Sequence, residues 1–182
     1  MNAPPRRTTP PTTRYAVRAA TAAVAPRIAE IYKPYVLHTA IGFEEAPVAP
    51  EVVAGRIARV AEAGLPWLVA EHEGRVVGHG YAGPWRERAA YRYAVECTVY
   101  TETGLQRRGV GSALYEALFE RLVQGPWHMV LAVIALPNEA SVALHEKFGL
   151  RKVAHFAEVG WKFGRWHDAG NWQRRLRAPL EP

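Results

Sequence analysis

One segment of the sequence limits the possible folds more than any other. Residues 101–118 read TETGLQRRGVGSALYEAL, where a glycine-containing turn with two adjacent arginines leads directly into apolar residues at helical spacing. A strand-like segment precedes the turn, so the local order is strand, loop, helix. The first amides of such a helix have no partner within it, and the helix dipole adds partial positive charge there. Because glycine has no Cβ, this junction predicts a site where an anion can approach the backbone closely.

Two well-known phosphate-binding loops do not fit this segment. A P-loop needs Lys followed by Ser or Thr after its second glycine, but Val110 and Gly111 follow Gly109. A dinucleotide-binding fingerprint needs a third glycine, and Leu114 occupies that position. An ordinary glycine-rich loop without a ligand stays open as the alternative on this segment alone.

The rest of the chain alternates between strand and helix patterns without an internal repeat. The predicted elements are a strand at 15–18, helices at 19–37 and 50–63, strands at 67–71, 75–82 and 94–100, a helix at 109–123, a strand at 129–135, a helix at 138–148, and strands at 150–156 and 171–176. Pro34 is expected to kink or end the first helix. Strand–helix–strand units between hairpins predict an α/β (α+β) fold, with a mixed sheet covered by helices on both faces.

Length and composition predict one globular domain. The chain has 182 residues, of which 49% are hydrophobic and 22% charged. We expect the proline-rich residues 1–13 to be a disordered tail and residues 14–178 to form the domain. The longest purely apolar run, at 129–136, is too short for a membrane span, and no secretory signal pattern is present. A single cysteine, Cys97, allows no disulfide within the chain, so we expect a cytoplasmic protein without a membrane partner.

The charge pattern also narrows the kinds of partner. The formal net charge is +6, from 23 basic and 17 acidic residues. The arginines are scattered or paired, and too few basic and aromatic residues cluster for nucleic-acid recognition, so we expect a solvated basic surface and no nucleic-acid binding. We predict no metal site, because no spacing typical of metal ligands is found among His72, His79, His128 and His167.

The strand before the glycine loop has one polar face. Alternation along 94–100 places Glu96, Thr98 and Tyr100 on one face, and Cys97 with its apolar neighbours on the other. A carboxylate, a hydroxyl and a phenol are costly to bury without partners, so this face is expected to line a cleft. The alternative for Glu96 is an ordinary salt-bridged strand residue.

These segments resemble a known family. QRRGVG at 106–111 is similar to the pyrophosphate-binding loop of the GNAT superfamily of N-acetyltransferases. Further motifs resemble the phosphinothricin N-acetyltransferase group, which includes relatives acting on methionine sulfoximine: YAGPW at 81–85, ECTVY at 96–100, LPNEAS at 136–141, LHE at 144–146, and WHD at 166–168 with WQ at 172–173. The resemblance implies the GNAT fold, with a mostly antiparallel mixed sheet of about six to seven strands and helices on both faces.

The resemblance also implies a reaction. An amine attacks acetyl-CoA directly, and since an amino acid is mostly ammonium at neutral pH, a base must first accept a proton. Glu96 matches the family's proposed base. His145 matches the position of a residue that protonates the departing thiolate or helps to deprotonate the amine. A histidine that merely packs within its helix is the alternative for His145.

The glycine loop and its neighbours are implied to hold the cofactor. The residues implied to bind acetyl-CoA are Val99, Tyr100, Gln106, Arg107, Arg108, Gly109, Val110, Gly111, Ser112, Asn138 and Ser141. Backbone amides around Val99 would polarise the thioester carbonyl. Asn138 can in addition cap the helix that it precedes.

The implied substrate is a small acidic amino acid or analogue, such as phosphinothricin or methionine sulfoximine or sulfone. The residues implied to contact it are Arg86, Arg88, Thr98, Tyr100 and Arg107. Guanidinium groups suit carboxylate and phosphinate groups and disfavour cationic substrates. Arg86 replaces a lysine common in the family, which keeps the charge but changes its geometry.

Several alternatives stay open at this point. The alternative substrates are a polyamine, an aminoglycoside or a protein N-terminus, and the alternative to an enzyme is a domain that binds acyl-CoA without catalysis. The tryptophan-rich segment near His167 and Asp168 is expected to be a loop. In the family this segment reaches toward a partner subunit, which implies a homodimer.

Overall fold

The structure, a computed structural model, describes residues 14–176. In these residues seven strands and four α-helices follow one another in the predicted order. The strands are β1 (Ala16–Ala19), β2 (Trp67–His72), β3 (Arg75–Pro84), β4 (Ala94–Thr101), β5 (Met129–Leu136), β6 (Arg151–Lys162) and β7 (Arg165–Arg175). The helices are α1 (Ala25–His38), α2 (Pro50–Glu62), α3 (Val110–Leu122) and α4 (Glu139–Lys147). The expected tail at 1–13, and residues 177–178 at the end of the expected domain, lie outside the described residues.

All seven strands form one sheet with the order β1-β2-β3-β4-β5-β7-β6. Every neighbouring pair is antiparallel except β4 and β5, which are parallel. The β4–β5 pairing covers only the residue pairs from Ala94–Met129 to Glu96–Leu131, although both strands continue beyond them. The expectation of a mixed, mostly antiparallel sheet is confirmed, and the sheet opens between β4 and β5.

Helices cover both faces of the sheet, as expected. Alternate glycines of β3 let α3 lie directly on one face: a Cβ at Gly78 would meet Val110 Cγ1 at 2.8 Å, and a Cβ at Gly80 would meet Leu114 Cβ at 3.7 Å. The side chain between them, His79, points to the opposite face because side chains alternate along a strand. That opposite face packs against α1 and α2.

The first helix differs from the expectation at both ends. It begins at Ala25 and not at residue 19, because a short 3₁₀ turn precedes it. It does not end at Pro34 but continues to His38. Beyond the proline, Tyr35 and Val36 are buried, and the Tyr35 hydroxyl donates to Thr101 O at 2.6 Å. This packing offsets the backbone hydrogen bond that a proline cannot make.

The last two strands are much longer than predicted. Together β6 and β7 form a hairpin around Phe163 and Gly164, which have φ angles of 52° and 72°. The segment at 166–168 is therefore part of a strand, and its prediction as a loop is wrong. A register shift between Phe156 and Gly160 interrupts the alternation of side chains, which hides the strand pattern in the sequence.

Gly78 is predicted to be essential for the contact between β3 and α3. We expect Gly78→Ala to lower the free energy of unfolding by about 1–3 kcal/mol, because the new methyl group would overlap Val110 and approach the Tyr100 carbonyl oxygen at 3.1 Å. Urea denaturation measures the change. Gly83→Ala is the matched control in the same strand, since a Cβ there meets no atom within 4 Å. Equal stability of the two variants would contradict this account of the β3–α3 contact.

Candidate active site

The polar face of β4 lines a cavity of about 200 Å³, as its alternation predicted. Glu96, Thr98 and Tyr100 face the cavity, while Val95 and Cys97 on the other side are buried at 0% and 3% exposure. Burial raises the pKa of the Cys97 thiol to about 12. Cys97 therefore stays a protonated residue of the core.

Neighbouring elements complete the wall of this cavity. The register of β3 against β4 pairs Tyr81 with Thr98 and His79 with Tyr100, so these aromatic side chains lie on the same face as Glu96. Helices α1, α2 and α4, strands β2 and β5, and the segment at 41–44 contribute the other surfaces. We call residues 41–44 the roof loop.

The roof loop is attached to the strand β6. The buried ammonium group of Lys162 donates to Gly42 O at 2.5 Å, and a Cβ at Gly160 would meet the Phe43 ring at 2.5 Å. Burial lowers the pKa of Lys162, while the nearby carboxylates of the same loop region act in the opposite direction. The long β6–β7 hairpin therefore fixes one side of the cavity.

Glu96 is a carboxylate with an increased affinity for protons. Partial burial raises its pKa above the ordinary value of 4.5, and the positive charge of Arg86 partly opposes this effect. A carboxylate becomes a better base as its pKa approaches the working pH. The side chain therefore has the electrostatic environment of a proton acceptor.

A second, larger groove of about 550 Å³ runs past the start of α3. Gly109 precedes this helix with φ of 92° and provides no side-chain cap, so the amides of the first turn have no partner within the helix. A Cβ at Gly111 would approach Leu144 Cδ2 at 3.0 Å, which shows how closely α3 and α4 approach here. Lys147 of α4 donates to Ser112 Oγ at 2.9 Å and brings a positive charge to the same turn. These features are typical of an anion-binding helix start.

The cavity and the groove meet. Both are lined by Ile41, Val99, Tyr100, Asn138 and Ser141. This junction lies where β4 and β5 have parted. A long ligand in the groove at α3 can therefore reach the cavity that contains Glu96.

Two of the expected cofactor contacts have an additional local role. Asn138 Oδ1 accepts a hydrogen bond from Ser141 N at 3.2 Å and so caps α4, as its position predicted. Gln106 Oε1 accepts from Gly104 N at 2.8 Å within the glycine loop. Both residues line the groove, and their contact with a cofactor stays a prediction.

His145 is buried, and both of its ring nitrogens are engaged by protein groups. Nδ1 lies 2.7 Å from Ser141 O, and since a carbonyl only accepts, Nδ1 carries the hydrogen. Nε2 then accepts from the Tyr115 hydroxyl at 2.7 Å, and that hydroxyl lies 3.5 Å from Cys97 Sγ. Burial lowers the pKa of His145, and the bond to Ser141 partly offsets this. These contacts fit the alternative of a structural histidine well.

The predicted substrate arginines are not part of the cavity wall. Arg86 and Arg88 are exposed in the segment after β3, and Arg107 lines the groove. Arg56 of α2 lines the cavity instead and forms an ion pair of 2.7 Å with Glu44 of the roof loop. Sequence reasoning missed Arg56, although its position three residues after Val53 on the apolar face of α2 is a usable signal.

Within residues 14–176, no group of three or more His, Cys, Asp or Glu side chains is placed to hold a metal ion. In the same residues, none of the helices is long and apolar enough to cross a membrane. The expected absence of a metal stays a prediction.

Comparison with known proteins identifies the class of this site. Residues 17–170 match the family described as acetyltransferase (GNAT) domain. The chain therefore belongs to the GNAT acetyltransferases, and the family resemblance seen in the sequence is confirmed.

Individual relatives cover almost the whole chain. It is 40% identical to the phosphinothricin N-acetyltransferase of Streptomyces viridochromogenes, over 91% of this chain and 90% of that protein. It is 35% identical to the L-methionine sulfoximine/L-methionine sulfone acetyltransferase of Salmonella typhimurium, over 94% of this chain and 98% of that protein. A crystal structure of a GNAT superfamily phosphinothricin acetyltransferase from Sinorhizobium meliloti in complex with acetyl-CoA superimposes with a TM-score of 0.87 at 33% identity, covering 93% of this chain and 95% of that one.

Arg86 is predicted to control the proton affinity of Glu96. Arg86→Ala should raise the pKa of the Glu96 carboxyl further, because it removes the positive charge that lowers this pKa. NMR titration of the carboxyl carbon measures the shift. Arg88→Ala, which removes the other exposed arginine of the same segment, is the control and should leave the pKa unchanged. The account fails if Glu96 titrates identically in all three proteins.

Proposed function

We propose that this chain transfers the acetyl group of acetyl-CoA to the free amino group of a small amino acid or analogue, of the phosphinothricin, methionine sulfoximine or methionine sulfone type. Membership of the GNAT acetyltransferases and the names of its relatives support the reaction class. The observation that carries the proposal is the junction of the groove at α3 with the cavity that contains Glu96.

The start of α3 fits the diphosphate of acetyl-CoA. The amides of Val110, Gly111 and Ser112 offer hydrogen bonds that the helix does not use, and Arg107 and Arg108 add positive charge. Val99, Tyr100, Asn138 and Ser141 would contact the part of the ligand that enters the cavity. When bound, acetyl-CoA supplies the activated acetyl group that the amine attacks.

Glu96 is proposed as the base. Its raised pKa favours acceptance of a proton from the substrate ammonium group, and its position on the polar face of β4 keeps it inside the cavity. Beyond Glu96, β4 has no registered partner in β5. Backbone amides near Val99 are therefore available to stabilise negative charge as it develops on the thioester oxygen.

A proton-donating role for His145 stays a prediction. With Nδ1 bonded to Ser141 and Nε2 accepting from Tyr115, the ring has no further hydrogen to give unless these contacts rearrange. We therefore favour a supporting role, in which His145 fixes the start of α4 beside the junction of cavity and groove.

The α-carboxylate of the substrate is proposed to face the arginine-containing segment after β3. Arg86 is close enough to act on Glu96 electrostatically, and its guanidinium lies 4.6 Å above the Trp85 ring. Thr98 and Tyr100 line the cavity and offer hydroxyl contacts. Contacts of Arg88 and Arg107 with the substrate remain parts of the same proposal.

The reaction is tested by mixing the purified chain with acetyl-CoA and a panel of amines, and by measuring thiol release and product mass. Acetylation of phosphinothricin, methionine sulfoximine or methionine sulfone is the expected result. Polyamines, aminoglycosides and peptide N-termini belong in the same panel because they represent the alternative substrates. Thiol release with one of these amines but with no amino acid would show that the proposed substrate class is wrong. No thiol release with any amine would contradict the proposed function.

Glu96→Gln should lower kcat by about 10²–10⁴-fold, because the amide cannot accept the proton. Calorimetric titration with coenzyme A should give nearly the same affinity as for the unsubstituted protein, since Glu96 lies outside the groove at α3. Glu87→Gln removes an exposed carboxylate from the nearby segment and is the control, with unchanged kcat. A large loss of coenzyme affinity in Glu96→Gln, with kcat unchanged, would show that Glu96 has another role.

We also propose that the protein is cytoplasmic. We propose in addition that it forms a homodimer through the β6–β7 hairpin. Six large apolar side chains of this hairpin expose between 45% and 57% of their surface: Val153, Phe156, Val159, Trp161, Phe163 and Trp166. We call these residues the hairpin patch. Trp161 and Trp166 are paired across the hairpin with their rings 5.0 Å apart, and exposed apolar side chains of this size are typical of an interaction site. A second copy is the occupant that the family resemblance implies.

Sedimentation velocity tests the dimer. The expected mass is twice the 20.2 kDa of the chain, and the double variant Trp161→Asp/Phe163→Asp should sediment as a monomer, because two charges would be buried at the interface. Val52→Asp changes an exposed apolar residue of α2 and should leave the dimer intact. A monomeric unsubstituted chain at micromolar concentration would overturn the proposal.

A further inference from the structure

One wall of the cavity contains buried polar atoms that have no hydrogen-bond partner among the described residues. Among the described residues, the buried side-chain nitrogens and oxygens without a hydrogen bond are Trp67 Nε1, His79 Nδ1, His79 Nε2 and Asn171 Oδ1. Three of these four atoms belong to Trp67 and His79, and both residues line the cavity that contains Glu96. Trp67 exposes 7% of its surface and His79 exposes 3%. Leaving such groups unpaired is costly, so their concentration in one wall indicates a ligand.

The two side chains are held in a stack of aromatic rings. The Trp67 ring lies 4.1 Å from the Tyr81 ring and 5.8 Å from the His79 ring, with interplanar angles of 19° and 20°. On its other side, His79 lies 5.6 Å from the Tyr100 ring. We call these four residues the aromatic wall. Because the rings support one another, the positions of the unpaired nitrogens are fixed before a ligand arrives.

The charges of the cavity disfavour an anionic ligand group. Glu44, Arg56 and Glu96 are the charged side chains among its lining residues. The Arg56 guanidinium is already paired with Glu44 at 2.7 Å, and Arg86, whose charge acts on Glu96, lies outside the cavity wall. Burial lowers the pKa of His79 to about 3, and the ring therefore stays neutral at physiological pH. A negatively charged side chain placed at this wall would face Glu96 with no unpaired cation among the lining residues.

The aromatic wall matches an uncharged group that is rich in hydrogen-bond acceptors. An indole N–H only donates, and a neutral imidazole has one donor and one acceptor nitrogen. Two donors can bond to the two oxygens of a sulfone. They can equally bond to a sulfoximine, whose N–H can also donate to the acceptor nitrogen of the imidazole.

We propose that Trp67 and His79 determine substrate specificity by binding the uncharged polar end of the substrate side chain, so that this enzyme prefers sulfone and sulfoximine amino acids to anionic phosphinothricin. The inference rests on the proposed acetyltransferase function and adds that the substrate has an uncharged polar side chain. The amino group lies at Glu96, and the side chain extends beneath α1 and α2 to the aromatic wall. The competing interpretation is that His79 is a purely structural residue.

The test compares kcat/KM for L-methionine sulfone, L-methionine sulfoximine and L-phosphinothricin. The unsubstituted enzyme should favour the first two by about tenfold or more, which corresponds to the loss or gain of one well-placed hydrogen bond. His79→Leu and Trp67→Phe should each lower kcat/KM for the sulfone and the sulfoximine by about tenfold and change the value for phosphinothricin by less than about twofold. Val76→Ala is the control, since Val76 is a buried residue of the same strand that does not line the cavity. It should leave the ratio of the substrates unchanged.

Calorimetric titration of each variant with coenzyme A confirms that it is folded, and Trp67→Phe provides the test if His79→Leu does not fold. A preference of the unsubstituted enzyme for phosphinothricin, or equal use of the three substrates, would overturn the inference. An equal loss of activity with all three substrates in both variants would also overturn it, because that result indicates a structural role. These outcomes differ from failure of the proposed function, in which the unsubstituted chain acetylates none of the amines in the panel.

Discussion

The short pairing of β4 with β5 is the constraint on which the site depends. Parallel register extends only to Glu96 and Leu131, and the two strands then diverge. The divergence leaves the polar face of β4 open to the cavity and its edge open to the groove at α3. A continuous ladder between these strands would satisfy the same backbone groups and close the passage. The end of the β4–β5 pairing thus brings together the Glu96 carboxylate, the unpaired backbone amides of β4 and the start of α3.

Two buried histidines line this cavity, and they differ in the way their polar atoms are satisfied. His145 forms hydrogen bonds through both ring nitrogens, to Ser141 and to Tyr115. Its buried polar atoms are therefore satisfied without a ligand. His79 has no partner for either nitrogen among the described residues. Since each unpaired buried group costs about 1–3 kcal/mol, the second arrangement is expected only where function compensates for it. Position and burial alone would not have distinguished these two residues.

The sequence was sufficient to predict the order of the elements, the mixed sheet and the polar face of β4, because each follows from short-range periodicity. The cap at Asn138 could be predicted because asparagine directly before a helix is a preferred N-cap residue. The full extent of β6 and β7 could not, because the register shift between Phe156 and Gly160 breaks the alternation. The places of Arg56 and His79 in the cavity depend on how α2 and β3 meet in three dimensions. Helical spacing places Arg56 on the apolar face of α2, but it does not reveal that this face meets His79 of β3 around a cavity.

The attachment of the roof loop to β6 has a consequence for cooperativity. Lys162 and Gly160 hold Gly42 and Phe43 from the same strand that carries Val159 and Trp161 of the hairpin patch. The wall of the cavity and the exposed apolar side chains therefore share one segment of β6. In a dimer built on that surface, any effect of ligand occupancy on subunit association would be matched by an equal effect of association on ligand affinity.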